Sequence, residues 1–272
     1  MNERALAELK NLSNEGRRHL IRMIGKVGVG HVGGALSVLD VMVYLYFREL
    51  NLRPDDARWS ERDRFVMSKG HAGPALYTVL AMRGFFGLDR LETLNSLGTN
   101  LPSHCDMKRT TGVDMTAGSL GQGLSAAVGM ALAARMDKKS YRVYCIVGDG
   151  EMQEGQIWEA AMYAGSQQLD NLVVIVDDNG MQIDNYTDAI NSVRPIDKRL
   201  ESFGFETISI DGHDFNQMEF AFYKAKTIKK HPTAIIMSTV KGKGFTFCEG
   251  KIGSHNMAVS SEDLAGALNE LA

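Results

Sequence analysis

The sequence has 272 residues, 30 basic and 33 acidic, for a net charge of −3 with histidines neutral. At roughly 150 residues per domain this is one large α/β unit or two small ones, and its charge gives no basic field to attract nucleic acid or an anionic membrane surface. The three cysteines, Cys105, Cys145 and Cys248, are far apart without Cys-x-x-Cys or Cys/His spacing, which argues against a disulfide framework or structural zinc and fits a reduced, cytoplasmic setting.

The N-terminus is charged from its third residue and lacks the apolar core of a signal peptide. From Asn2 to about Val27, Leu6, Leu9, Leu12, Leu20, Met23 and Ile24 recur at helical spacing, which predicts one or two helices with Gly16 as the weak point. Ser37 is placed to cap a helix carrying Leu39, Val43 and Phe47, and Ala72 to Phe86 followed by Gly87 reads as a helix with a glycine stop. The uncharged stretch from Met115 to Ala134 holds Thr116, Ser119, Gln122, Ser125 and four glycines, wrong for a lipid-facing span, and is expected to be a loop entering a buried helix.

Beyond residue 140 the period changes. Val143–Val147, Leu172–Val176, Thr207–Ile210 and Ala234–Val240 are short β-branched runs separated by helical segments near 154–168 and 214–230, and Ser260 to Leu264 begins a terminal helix. Alternation of this kind predicts an α/β fold, a central parallel sheet with right-handed crossovers and helices on both faces. No repeat or Pro/Ser-rich linker divides the chain, so a single domain is expected over 1–272, with a mainly helical front (1–110), a βαβ core (111–250) and a C-terminal tail (251–272). Ligands of such sheets sit at the carboxyl ends of the strands, which singles out the loops after Val147 and Val176.

Two glycine patterns match nucleotide motifs in letters only. Gly28-x-Gly30-x-x-Gly33 follows the charged helical stretch Glu15 to Arg22 rather than a strand, and Gly121-x-Gly123-x-x-Ala126 follows no strand either, although its amides can face an anion at a helix N-terminus. No P-loop, GxSxG, HExxH or EF-hand pattern is present.

The sharper feature is Gly148-Asp149-Gly150-Glu151 after one strand, followed about thirty residues later by Asp177-Asp178-Asn179-Gly180-Met181 after the next. Asp149, the Asn179 amide and a backbone carbonyl are hard oxygen ligands for a divalent cation that keeps its other positions for phosphate oxygens and water. Two ordinary βα turns use the same residue types, so the residues alone leave both readings open. His31, His71, His104 and His255 each sit in a glycine- or serine-flanked loop, whereas His19, His213 and His231 read as surface or structural residues. Convergence of the first four has to come from the fold.

Five ordered segments resemble the transketolase family, specifically its N-terminal half: Gly30 to Ser37, Arg62 to Ala72, Gly118 to Gly123, Gly148-Asp149-Gly150 with Glu154-Gly155, and Asp177-Asp178-Asn179. The resemblance spans nearly the whole chain and implies the thiamine diphosphate fold of the diphosphate-binding (PP-type) domain. It implies thiamine diphosphate with Mg²⁺ (or Ca²⁺ or Mn²⁺) as cofactors, the metal held by Asp149, Asn179 and the Met181 carbonyl. Gly118, Leu120, Gly150, Asn179, His71 and His255 would line the cofactor, and His31, His104 and His255 would touch the sugar. Glu154 matches the family's buried glutamate at the dimer contact. The family often has proline where this chain has Val32 and Cys105, and glycine where it has Asn256; Cys105 reads as a thiol in the substrate funnel or a small buried filler.

The implied activity is ketol transfer, with pentose phosphates as the family default and apulose phosphate or a sulfosugar equally compatible. The pyrimidine-binding half has no counterpart in 272 residues. A C-terminal transketolase subunit is therefore the expected partner, in an α₂β₂ heterotetramer, with sugar or sugar-phosphate substrates and neither nucleic acid nor membrane. The alternatives are a 1-deoxyxylulose-5-phosphate synthase-like chain, a 2-oxo acid dehydrogenase E1 α-like subunit, a catalytically silent cofactor-binding subunit, and a nucleotide-binding domain at Gly28 to Gly33.

Overall fold

The computed structural model describes residues 1–271; Ala272, the last residue of the expected tail, lies outside them. Five parallel strands form the central sheet: β1 (Arg64–Met67), β2 (Val143–Gly148), β3 (Leu172–Asp178), β4 (Glu206–Asp211) and β5 (Thr233–Ser238), in the order β1-β2-β3-β5-β4. Their side chains alternate between two cores. Val143, Cys145 and Val147 face one cluster and Tyr144 and Ile146 the other, and Val174 and Ile175 divide in the same way. A sheet buried on both faces explains why these strands read as continuous apolar runs.

One face is covered by α1 (Glu3–Val27), α2 (Gly73–Met82) and α5 (Phe215–Thr227), the other by α3 (Gln122–Met136) and α4 (Gly155–Ser166). The terminal helix α6 (Ser261–Glu270) starts with a reciprocal cap between Ser260 and Asp263 and lays Leu264 against Gly25 of α1. The α/β architecture expected from the period change is present. Among the described residues no helix is long and apolar enough to cross a membrane.

Several boundaries differ from expectation. The first segment, expected as one or two helices, is one, ended by Gly28 in the left-handed conformation (φ 85°), so the first glycine pattern is a helix stop followed by a two-residue strand. Ser37 is not an N-cap: Val38 occupies that position, and the Ser37 hydroxyl donates to Asp177 at 2.7 Å. Helix α2 ends at Met82 rather than running on to Phe86, because the chain already reverses at Gly84 (φ 86°). The last strand stops at Ser238, which frees Thr239 and Val240 for a loop. Strand β1, which no apolar run announced, comes from the segment read as a helical front and pairs Arg64–Met67 with Val143–Ile146.

Candidate functional site

The loops that leave β1, β2, β3 and β5 at their carboxyl ends converge on one cleft, lined by His71 and Lys69, by Asp149 and Gly150, by Asn179 and Met181, and by Lys241. Parallel pairing of Gly148 with Asp177 sets the Asp149 and Asn179 loops side by side.

Asp149 is buried, 1% exposed. Its Oδ1 accepts from the Gly150 amide at 2.9 Å, and its Oδ2 accepts from the Gly180 amide and the Thr187 hydroxyl, each at 2.9 Å. Burial, then the nearby Asp177 carboxylate, push its pKa up to about 6. A carboxylate offers about four lone-pair sites, so three bonds leave capacity for a cation. The Asn179 carbonyl oxygen takes only the Met181 amide, at 3.1 Å, and likewise retains a lone pair.

Asp177 organises the cleft from beneath. Its Oδ2 accepts from Ser37 at 2.7 Å, Lys69 Nζ at 2.5 Å and Asn179 Nδ2 at 2.9 Å, and its Oδ1 accepts from Thr239. Burial alone would raise its pKa, but the Lys69 ammonium and these donors hold it below the usual carboxylate value. Glu151 is a second buried carboxylate, and its oxygens take Ser68, the Gly121 amide at 2.8 Å and the Gly148 amide at 3.1 Å. The anion facing Gly121 is thus a side chain of the protein itself.

Lys241 is 2% exposed and its Nζ has no hydrogen-bond partner. Burial, then the Lys69 charge, lower its pKa to about 8. An unpartnered buried ammonium in a cleft beside Asp149 and Asn179 is a donor set that fits a metal-bridged diphosphate: oxygen ligands for the cation and a cation for the anion. Among the described residues no group of three or more His, Cys, Asp or Glu side chains is arranged to hold a metal. The one-carboxylate set here needs oxygens from the diphosphate to complete a shell.

The four loop histidines form one cluster. His31 lies 5.5 Å from His71, 5.3 Å from His104 and 5.5 Å from His255 between ring centroids, and His71 lies 4.8 Å from His255. The antiparallel pair Val29–Gly30 with Met257–Ala258 brings His31 and His255 together across the chain. Burial lowers all four pKa values. His104 adds to the effect at His31, Lys69 adds at His71, and His255 falls to about 4 with help from Lys241.

Of the residues singled out in the sequence, Asp149, Gly150, Asn179, Met181, Leu120, His71 and His255 line the cleft. His31 and His104 join it through the imidazole cluster, and Gly118 lies beside His104. Glu154 is outside the cleft and exposed on this chain, at the N-cap of α4. Cys105 is a buried filler, and Cys145 and Cys248 are also free and buried. His213, read as structural, hydrogen-bonds Asp40. Lys69 and Lys241 went unread as site residues, although each stands within three residues of a strand's end and the rule about carboxyl ends applies to them equally.

The family model described as transketolase, thiamine diphosphate binding domain, matches residues 9–271. The chain is 52% identical over 264 residues to the 6-deoxy-6-sulfo-D-fructose transketolase subunit SqwG of Clostridium sp. (strain MSTE9), covering 97% of this chain and 96% of that protein. It is 38% identical over 259 residues to an apulose-4-phosphate transketolase subunit of Phocaeicola vulgatus, covering 95% and 92%. Against the transketolase of Homo sapiens the identity is 40% over 93% of this chain but only 40% of that protein. The crystal structure of transketolase from Campylobacter jejuni superposes with a TM-score of 0.92 at 32% identity, covering 100% of this chain and 43% of that one.

Proposed function

Since the chain belongs to the transketolase family as its thiamine diphosphate-binding domain, we propose that it is the diphosphate-binding subunit of a split transketolase, transferring a two-carbon ketol unit from a ketose to an aldose together with a second polypeptide. The second chain supplies the pyrimidine-binding half. The observation that carries this reading is the meeting of Asp149, Asn179 and Met181 beside the unpartnered Lys241. It is supported by two named transketolase subunits that the chain matches over 96% and 92% of their length.

In this reading Asp149, Asn179 and the Met181 carbonyl hold Mg²⁺, or Ca²⁺ or Mn²⁺, which share its preference for oxygen. Lys241 and the Gly150 backbone face the diphosphate, and Leu120, Gly118 and His71 border the cofactor. When bound, the cofactor supplies the electron sink for carbon–carbon cleavage, which side chains lack. The protein's own part is orientation and proton handling. His31, His104 and His255 have lowered pKa values, so each is a neutral imidazole at pH 7, with one nitrogen to donate to a sugar hydroxyl and the other to accept a proton. Glu154, exposed on one edge, is assigned to the contact with a second chain in an α₂β₂ assembly. Three free buried thiols fit a reduced, cytoplasmic setting.

The donor favoured by this reading is a sulfosugar, because the SqwG subunit is 52% identical and the apulose-4-phosphate subunit 38%. Purified chain, by itself and mixed with a pyrimidine-half subunit, is to be assayed for ketol transfer with Mg²⁺ and thiamine diphosphate. Activity should appear only in the mixture, with kcat/KM higher for 6-deoxy-6-sulfofructose than for fructose 6-phosphate. Full activity from the lone chain would overturn the split-site reading.

A further inference from the structure

The loop that leaves β5 carries Lys241 to the cleft as a strap. Its backbone is held by the Thr239 and Gly242 amides, which donate to the Asp178 and Gly33 carbonyls at 3.2 and 3.0 Å, by the Lys241 carbonyl, which accepts from the Gly250 amide at 2.8 Å, and by two side-chain anchors. At one, the Val240 amide donates to His213 Nε2 at 2.9 Å; at the other, Arg17 Nε donates to the Lys243 carbonyl at 3.1 Å. The two anchors are a single unit. His213 Nδ1 and Arg17 Nη2 both lie on Asp40 Oδ2, at 2.7 and 2.8 Å. Because Nε2 accepts an amide hydrogen, the ring proton sits on Nδ1 and is donated to Asp40, which fixes the tautomer. Asp40 is 4% exposed; burial opposes its charge, but the bonds from His213 and Arg17 prevail and hold its pKa at about 2.

Gly244 has φ 107°, and a Cβ there would stand 2.5 Å from Arg17 Nε, so the strap passes the guanidinium at a point that admits no side chain. Between the anchors lies Lys241, whose Nζ is buried, unpartnered and open to the cleft. Arg17, Asp40 and His213 come from α1, the segment after it and the loop after β4, and none of them lines the cleft. Their bonds to the site run only through the strap backbone.

The geometry points to Arg17, Asp40 and His213 as a positioning triad that holds the Val240–Lys243 strap so that Lys241 presents its ammonium to a diphosphate in the cleft. The inference rests on the diphosphate reading of the cleft. It assigns the three residues no chemistry of their own: they act by adding side-chain restraint to a strap whose backbone bonds leave the Lys241 ammonium itself without a partner.

Two measurements on the full chain test it. The first, hydrogen–deuterium exchange over residues 238–244, needs no ligand. His213→Ala should speed exchange of the Val240 amide by about tenfold or more, and His213→Gln, which keeps a donor for Asp40 and an acceptor for Val240, should restore most of the protection. Unchanged protection in His213→Ala would overturn the triad. The second is the affinity for Mg²⁺-thiamine diphosphate in a double-mutant cycle with Lys241→Met, alongside melting curves. His213→Ala should weaken binding by about tenfold when Lys241 is present and by less than about twofold when it is absent. Equal losses in both backgrounds, as a general loss of stability would give, would overturn it. A wild-type chain that retains no diphosphate contradicts the cleft reading rather than the strap anchoring, which exchange reads independently.

Discussion

Four imidazoles meet in one cleft, and burial keeps each below its ordinary pKa. In an NMR titration of the ring nitrogens they should all titrate below 6.5, His255 near 4. Lys241 gives the opposite flank of a pH profile. Its pKa of about 8 means the ammonium is present below that value and is lost as pH rises through it, so diphosphate affinity should decline above pH 8 in the wild type and show no such decline in Lys241→Met. Asp40 bears on stability. Its folded pKa of about 2 lies below the ordinary 3.8, so its contribution is complete above pH 4 and is lost as pH falls toward 2. Asp40→Asn should therefore lower stability by about 2 kcal/mol at pH 7 and by much less at pH 2, read from denaturant midpoints. Asp149, Asn179 and the four histidines were legible in the sequence because each stands in a loop beside glycine or serine. Lys69 and Lys241 were not, since a lysine carries no sign of burial until its surroundings are known.

The elements were read best where periodicity is strong. β2, β3 and β5 are buried on both faces and announced themselves as β-branched runs, and α4 and α5 fell within a few residues of expectation. β1 was missed because its four residues are too short for a period and are held by partners far away: Val143–Ile146 along its length, and Asp63, just before it, accepting from the Asn51 and Arg142 amides. Ser37 misled for the same reason, its hydroxyl being used by a carboxylate 140 residues on. Close packing gives a direct test at this scale. A Cβ on Gly165 of α4 would run into the Phe203 carbonyl oxygen, whereas one on Gly129 of α3 meets nothing within 4 Å. Gly165→Ala should cost about 1–3 kcal/mol, and Gly129→Ala should leave the isolated chain unchanged or more stable by up to about 1 kcal/mol. Equal melting shifts would contradict the helix packing described.

At the scale of the whole molecule, the sheet order β1-β2-β3-β5-β4 explains why one cleft gathers residues as distant as His31 and His255: four loops open on the same edge, and the short ladder between Val29–Gly30 and Met257–Ala258 closes the ring. Neither the ladder nor the strap on His213 leaves a trace in local sequence, because both are pairings between remote backbone groups. Glu154 stands exposed at the N-cap of α4, where the proposed second chain would cover it. The proposed function depends above all on Asp149 and Asn179 gripping a cation that holds a diphosphate. The most direct measurement is the thermal shift of the chain with thiamine diphosphate, with and without Mg²⁺, for the wild type and Asp149→Asn. A shift that requires Mg²⁺ in the wild type and is lost in the variant is expected; a shift of the same size in Asp149→Asn, or one indifferent to Mg²⁺, would contradict it.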